Sequence, residues 1–175
     1  FTIALILLQD GIVNGAIYAL LGLALVLIFA VTRVIFIPQG EFVAFGALTL
    51  AMLVNGSVPG TVWLLLIAGT CAFLMELCKA FRQRRATGLA WAALQYLVLP
   101  VALFALTHWL SAYDIGLWGK ALLTLALVVP LGPMLYRIVY QPLVDAPVLV
   151  LLIVSVAVHF ALTGVALAFF GAEGW

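Results

Sequence analysis

Long apolar stretches, separated by short polar segments, constrain the fold of this chain more than any other feature. About 20 helical residues cross the roughly 30 Å hydrocarbon layer of a bilayer, and apolar runs near that length recur along the sequence. Only 7% of the 175 residues are charged and 68% are hydrophobic, a composition outside the range of soluble globular domains. The sequence therefore predicts an all-α integral membrane protein and excludes intrinsic disorder and a disulfide scaffold.

The apolar stretches predict about six transmembrane helices in one membrane domain, residues 1–175. They cover residues 11–32, 41–54, 58–77, 89–113, 119–136 and 148–170. The second stretch is short and follows Pro38, which lacks a backbone N–H, so we expect a broken or late-starting helix there. Pro100, Pro130 and Pro133 lie inside later stretches, where we expect them to kink the helices without ending them.

The positions of the cations predict an orientation. Residues 78–88 form a basic loop that contains Lys79, Arg82, Arg84 and Arg85. The positive-inside rule places this loop in the cytoplasm. Counting helices outward from it puts Arg33 and Arg137 on the same side and leaves Lys120 on the other. The net charge of +1 gives no indication of nucleic-acid binding.

One face of the first predicted helix is small and polar. At 100° per residue, its members fall within a narrow arc. They are Gly11, Asn14, Gly15, Tyr18 and Gly22. Small residues let helix backbones approach closely, and the amide and phenol can form hydrogen bonds across the contact, so this face predicts helix packing. The alternative is that Asn14 or Tyr18 lines a solute path.

Glu41 lies at the start of the short second stretch, beside Gln39 and Gly40. An acid at membrane depth is costly without a partner or water, so it indicates a functional site. The alternative is an interfacial Glu41 that pairs with Arg33 and favours a helix N-terminus.

The last apolar stretch carries a polar stripe in which Ser155, His159 and Thr163 recur every four residues. Polar side chains on one face of a membrane helix indicate either interhelical hydrogen bonds or a solute path.

Several kinds of chemistry have no motif in this sequence. There is no phosphate-binding GxxxxGK[ST] loop and no Ser/His/Asp or Cys/His set, so we expect no catalysis by this chain. Neither His108 nor His159 has metal-ligand spacing, and we expect no metal and no cofactor. Cys71 and Cys78 are too far apart for a CxxC motif and are interpreted as ordinary membrane-helix residues.

Two stretches, one with Gly11, Tyr18, Gly40 and Glu41 and the other with Arg137, Tyr140, Pro142 and Leu143, together resemble the branched-chain amino-acid ABC transporter permeases. Residues 10–51 are similar to the family opening, with its Asn-Phe-Ala-His-Gly-Glu segment, and residues 136–160 are similar to its Glu-Arg-x-x-Tyr-Arg-Pro-Leu segment and the following span. Matches to the first stretch are Gly11, Gly15, Tyr18, Ala19, Leu20, Gly40 and Glu41. Matches to the second are Arg137, Tyr140, Pro142 and Leu143. Pro38 and Gln39 stand where the family has Ala-His.

The resemblance implies a multi-pass permease subunit of an ABC importer in the bacterial inner membrane, in contact with membrane lipid. It further implies partners: cytoplasmic ATP-binding subunits, a second permease subunit and a periplasmic solute-binding protein. Members of the family continue into a second half, so we expect this sequence to be the amino-terminal part of a longer permease.

In that scheme, two groups of residues have roles. The substrate path would be bordered by Gln39, Gly40, Glu41, Ser155 and His159. Contact with the cytoplasmic machinery would involve Arg137, Tyr140 and Pro142. Two alternatives remain open: an ion-coupled secondary transporter with Glu41 and His159 as proton carriers, and a structural membrane subunit without a path.

Overall fold

The computed structural model describes residues 2–83, 89–110 and 116–171, and the regular structure of these residues is entirely helical. The helices are α1 (Thr2–Thr32), α2 (Gln39–Val54), α3 (Thr61–Gln83), α4 (Leu89–Ala93), α5 (Leu99–Leu110), α6 (Gly116–Val128), α7 (Leu131–Leu135) and α8 (Val148–Phe170). A π-helical segment, Leu94–Val98, joins α4 to α5, and a second one, Tyr136–Tyr140, extends α7 and ends in a 3-10 turn at Gln141–Leu143.

Five helical stretches of the described residues are long and apolar enough to cross a membrane. They are Ile3–Thr32, Thr61–Phe81, Trp91–Leu110, Gly116–Leu143 and Val148–Phe170. The shorter α2 has 16 residues, about 24 Å at 1.5 Å per residue. The prediction of an all-α membrane protein with a short, late-starting second helix is therefore confirmed, and Pro38 immediately precedes α2.

Some helix ends differ from the predicted ones. The first helix begins at Thr2 rather than at residue 11, and α3 continues through Lys79 to Gln83. The predicted basic loop is thus helical up to Gln83, because Lys, Arg, Glu and Gln favour helix once the apolar run has ended. Arg84 and Arg85 lie outside the described residues.

Pro130 interrupts the regular α-helix inside one helical span, Gly116–Leu143, in agreement with the prediction that it kinks the span without ending it. Helix α6 stops at Val128, a turn covers residues 129 and 130, and α7 begins at Leu131. The pyrrolidine ring removes one helical hydrogen bond and crowds the carbonyl four residues earlier. Pro100, by contrast, lies inside the helical region immediately after the first π-helical segment.

Helix α3 lies at the centre of the packing and contacts α4, α5, α6, α7 and both π-helical segments, while α2 packs on α6 and α8. The hydroxyls of Thr49 on α2 and Thr61 on α3 form a buried hydrogen bond. Gly60 lets the start of α3 approach α8 closely, since a Cβ there would lie 2.9 Å from Phe169 Cβ. These small and hydroxyl-bearing contacts are typical of packing between membrane helices.

Helix α1 is exposed along nearly its whole length in the described structure, and its 18-residue apolar window has no buried residue. A Cβ at Gly11, Gly15 or Gly22 would meet no atom of the described residues within 4 Å. Asn14 is likewise exposed, and Tyr18 is 74% exposed. The predicted packing face is therefore available to lipid or to another chain, and its packing role stays a prediction.

Candidate functional site

The backbone between α1 and α2 is irregular and is covered by protein. Residues 33–36 are non-helical, and a turn over residues 37 and 38 leads into α2. Val34 and Pro38 are buried, and the Phe36 ring packs on Tyr140 with centroids 5.9 Å apart. Non-helical backbone at membrane depth is tolerated only where protein or water covers it, and the second π-helical segment and α8 supply that cover here.

The first turn of α2 and the middle of α8 form a polar cluster of Glu41, His159 and Thr163. Glu41 Oε1 lies 3.1 Å from His159 Nδ1, and Thr163 Oγ1 donates to the same oxygen at 3.2 Å. The Thr163 hydroxyl is also 2.9 Å from the His159 carbonyl oxygen. The structure therefore pairs Glu41 with α8, and not with Arg33 as in the interfacial interpretation.

Glu41 contacts α8 at the midpoint of that helix. His159 is the midpoint of α8, whose 23 residues extend over about 35 Å. The Glu41 side chain is 15% exposed and the His159 side chain 38% exposed. A carboxylate at this depth is costly unless another group compensates its charge, which is the reason to regard the cluster as a candidate functional site.

The other residues of the predicted path, Ser155, Gly40 and Gln39, differ in burial and in hydrogen bonding. Ser155 is fully buried, and its hydroxyl lies 3.0 Å from the Tyr140 hydroxyl. Gly40 is exposed, whereas Oε1 of Gln39 is buried without a hydrogen-bond partner among the described residues. A buried acceptor without a partner attracts water or a polar solute. The structure thus joins Glu41 to His159, with Ser155 one helical turn away in a separate hydrogen bond.

An apolar cavity of about 270 Å³ adjoins the polar cluster, between α2, α3, α7 and α8. Its walls are Phe42, Phe45, Leu64, Ile67, Ala68, Cys71, Leu131, Leu135, Ile138, Leu162, Val165 and Phe169. Two wall residues, Phe42 and Leu162, are sequence neighbours of Glu41 and Thr163, whereas the three polar side chains of the cluster are not among the wall residues. An acidic group beside an apolar cavity suits a solute with a cationic group and an aliphatic part.

A second cluster of charged side chains lies toward the end of α3, on the side that the positive-inside rule assigns to the cytoplasm. The Arg137 guanidinium forms an ion pair with Glu76, and Lys79 Nζ lies 3.7 Å from the same carboxylate. Lys79 also donates to Gln141 Oε1 at 3.3 Å. These contacts tie α3 to the segment after α7.

The predicted cytoplasmic contact residues differ in accessibility. Arg137 is engaged by Glu76, Tyr140 is 1% exposed, and Pro142 is exposed. Tyr140 therefore acts within the chain, and contact of this segment with a cytoplasmic subunit stays a prediction.

Thr163 belongs to the polar stripe predicted for α8, and its spacing from His159 places it on the same face, where it contacts Glu41. Glu76 is the participant that the sequence pattern does not indicate. Glu76 was not connected with Arg137, because two helices distant in sequence meet only in the fold.

No protein-family model, no curated protein and no solved structure matches this chain. Function is therefore inferred from the residues and contacts described above.

Proposed function

We propose that this chain is a membrane-spanning permease subunit of an ABC importer that moves branched-chain or related amino acids across the bacterial inner membrane. The observation that carries the proposal is the contact of the Glu41 carboxylate with His159 at the midpoint of α8, in a bundle whose α2 and α8 also line an apolar cavity. Acidic side chains within membrane spans face the interior of the helix bundle or a water-filled path.

The chemistry of the site fits a zwitterion with an aliphatic side chain. The solute ammonium would pair with the Glu41 carboxylate, and the Thr163 hydroxyl and the Gln39 amide would supply further polar contacts. The cavity exceeds the roughly 150 Å³ apolar cavity that holds a benzene molecule, so a branched aliphatic side chain has room. The N-terminus of α2, which is the positive end of the helix dipole, lies beside Glu41 and would attract the solute carboxylate.

The family resemblance gives separate support. Its two stretches, residues 10–51 and 136–160, lie apart in sequence but contact each other in the fold. Glu41 meets His159, and Phe36 meets Tyr140. The two stretches therefore come together around the candidate site, and the matched residue in each contact is Glu41 or Tyr140.

Such a subunit works with other chains. Cytoplasmic ATP-binding subunits would drive the cycle, a second permease subunit would complete the path, and a periplasmic solute-binding protein would deliver the amino acid. The segment around Arg137 and Pro142 is the proposed contact with the cytoplasmic machinery, because it lies on the side that the basic residues mark as inside.

The test combines purification with uptake. Affinity purification in mild detergent should recover an ATP-binding subunit and a second permease with this chain. Uptake of radiolabelled L-leucine should stop when ATP is depleted, and Glu41→Gln should reduce uptake at least tenfold at normal expression. Asp10→Asn, which neutralises an exposed acid on α1, is the matched control and should leave uptake unchanged. Recovery of the chain without an ATP-binding subunit, or uptake unaffected by Glu41→Gln, would contradict the proposal.

The contact between Glu41 and His159 also favours a second candidate, an ion-coupled secondary transporter. A carboxylate and an imidazole within 3.1 Å are a pair that can exchange a proton. In that case, uptake would survive ATP depletion and would collapse when an uncoupler removes the proton gradient. The same uptake assay therefore separates the two candidates.

A further inference from the structure

The charged cluster that joins the end of α3 to the segment after α7 carries more positive than negative charge. We propose that this cluster, which consists of Lys79, Arg137, Glu76 and Gln141, binds the phosphate group of an anionic phospholipid in the cytoplasmic leaflet. The inference goes beyond the proposed transport function and does not depend on it, since it rests on the depth, charge and exposure of these side chains.

The cluster lies at the depth of lipid headgroups. Lys79 is near the end of the apolar span Thr61–Phe81, about 27 Å from its start at 1.5 Å per residue. That distance is close to the roughly 30 Å thickness of the hydrocarbon layer. Arg137 is likewise near the end of its span, Gly116–Leu143, and follows the exposed Tyr136. Tyrosine is enriched at the membrane–water interface, so both cations can reach the phosphate layer.

Two cations share one carboxylate in the cluster. Arg137 Nη2 forms an ion pair with Glu76 Oε1, and Lys79 Nζ is 3.7 Å from the same oxygen. The amide oxygen of Gln141, which accepts from Lys79 at 3.3 Å, carries no charge. The Glu76 side chain is 19% exposed, whereas those of Lys79 and Arg137 are 40% and 29% exposed. The acid is therefore the most buried of the three, and one excess positive charge remains at the surface of the cluster.

The sequence adds further cations beside the cluster. Arg82, Arg84 and Arg85 follow Lys79 in the basic segment of residues 78–88, of which Arg84 and Arg85 lie outside the described residues. A group of Lys and Arg immediately cytoplasmic of a membrane helix attracts anionic lipids, with a gain in affinity of about fivefold per cation. The charge of this region therefore favours an anionic headgroup over a zwitterionic one.

Exposed apolar residues beside the cluster favour a lipid over a soluble anion. Phe81, near the end of the same helix as Lys79, is 79% exposed, and Val144, just after the 3-10 turn that contains Gln141, is 63% exposed. The acyl chains of a phospholipid can cover such side chains while its phosphate meets the cations. Free phosphate would leave them in water.

The experiment measures headgroup preference on the full chain in mild detergent. Native mass spectrometry with equal amounts of dioleoyl phosphatidylglycerol and dioleoyl phosphatidylcholine compares two lipids whose acyl chains are identical. The unaltered chain should bind phosphatidylglycerol about fivefold more than phosphatidylcholine, and millimolar inorganic phosphate should not displace it. Lys79→Gln and Arg137→Gln should each lose most of this preference. Arg33→Gln, which removes an exposed cation outside the cluster, is the matched control and should retain it.

Three outcomes would overturn the inference. Equal binding of the two lipids by the unaltered chain would show that the cluster does not select an anionic headgroup. Equal losses of preference in Arg33→Gln and Lys79→Gln would show that only overall charge matters. Displacement of the lipid by inorganic phosphate would show a site for a soluble anion. The first measurement uses the unaltered chain, so it does not depend on the folding of a variant, and none of these outcomes bears on leucine uptake.

Discussion

Gly69 on α3 lies directly against the backbone carbonyl oxygen of Tyr96. A Cβ at Gly69 would overlap with that oxygen and would lie 2.9 Å from Pro100 Cγ. The same oxygen cannot accept the usual helical hydrogen bond from position 100, because proline has no N–H. The π-helical segment Leu94–Val98, Pro100 and Gly69 therefore form one packing unit between α3 and α5.

Gly69→Ala should destabilise the fold, since backbone atoms cannot move aside as a flexible side chain can. We expect a loss of about 1–3 kcal/mol in the free energy of unfolding, the usual cost of overpacking. Gly164→Ala on α8 is the control, because a Cβ there would meet nothing within 4 Å in the described structure. Denaturant unfolding in detergent measures both variants, and equal stability of the two would contradict the prediction.

Tyr140 and Ser155 should be energetically coupled, because their hydroxyls form a buried hydrogen bond at 3.0 Å. Double-mutant cycles in membrane proteins give about 0.6 kcal/mol for such bonds on average. We expect Tyr140→Phe and Ser155→Ala each to lower stability and the double variant to lower it by less than their sum. Strict additivity in unfolding measurements would show that the hydroxyls do not interact.

The ion pair between Glu76 and Arg137 should contribute more to the free energy of unfolding than the contact between Glu76 and Lys79. Loss of a hydrogen-bonded charged partner costs about 1.5–3 kcal/mol. Arg137→Gln should therefore lower the free energy of unfolding by about 2 kcal/mol, and exchange of the two residues should restore part of it. Lys79→Gln should cost less than about 1 kcal/mol, since Lys79 is 3.7 Å from the carboxylate and 40% exposed. A larger effect of Lys79→Gln would refute this ranking.

Cys71 reports on the apolar cavity, because it contributes to the cavity wall and its thiol is free. In a variant that retains only this cysteine, N-ethylmaleimide should modify Cys71, and saturating L-leucine should slow the modification at least threefold. The companion variant that retains only Cys78 should react at a rate that leucine leaves unchanged. If leucine leaves the rate at Cys71 unchanged, the cavity does not hold the solute.

The small face of α1 should pack against a second chain. Gly15→Trp should prevent association with the second permease subunit, because a large side chain keeps the helices apart. Val13→Trp, about 160° around the same helix, should leave association intact. Co-purification of the two subunits measures the effect. Equal recovery with both variants would indicate that this face of α1 contacts lipid.

Local features of the fold were predictable from the sequence. The bounds of α8 coincide with the last predicted stretch, and Pro38 marked the late start of α2. Both follow from local physics: in lipid, every backbone N–H and C=O needs a partner within its own segment, so apolar length and proline position decide where helices run. Pro130 likewise marked the break between α6 and α7 inside the span Gly116–Leu143, as expected of a proline that kinks a membrane helix without ending the span.

The candidate site, like the fold, was predictable from the sequence only in part. The period of the α8 stripe and the isolation of Glu41 marked both halves of the cluster, so the polar side chains could be named from the sequence alone. The packing of the helices was needed to show that Glu41 meets His159 at the midpoint of α8 and that Arg137 meets Glu76. The reason is physical: helix formation depends on neighbours along the chain, whereas the register between apolar helices depends on small-residue contacts and hydrogen bonds across the bundle.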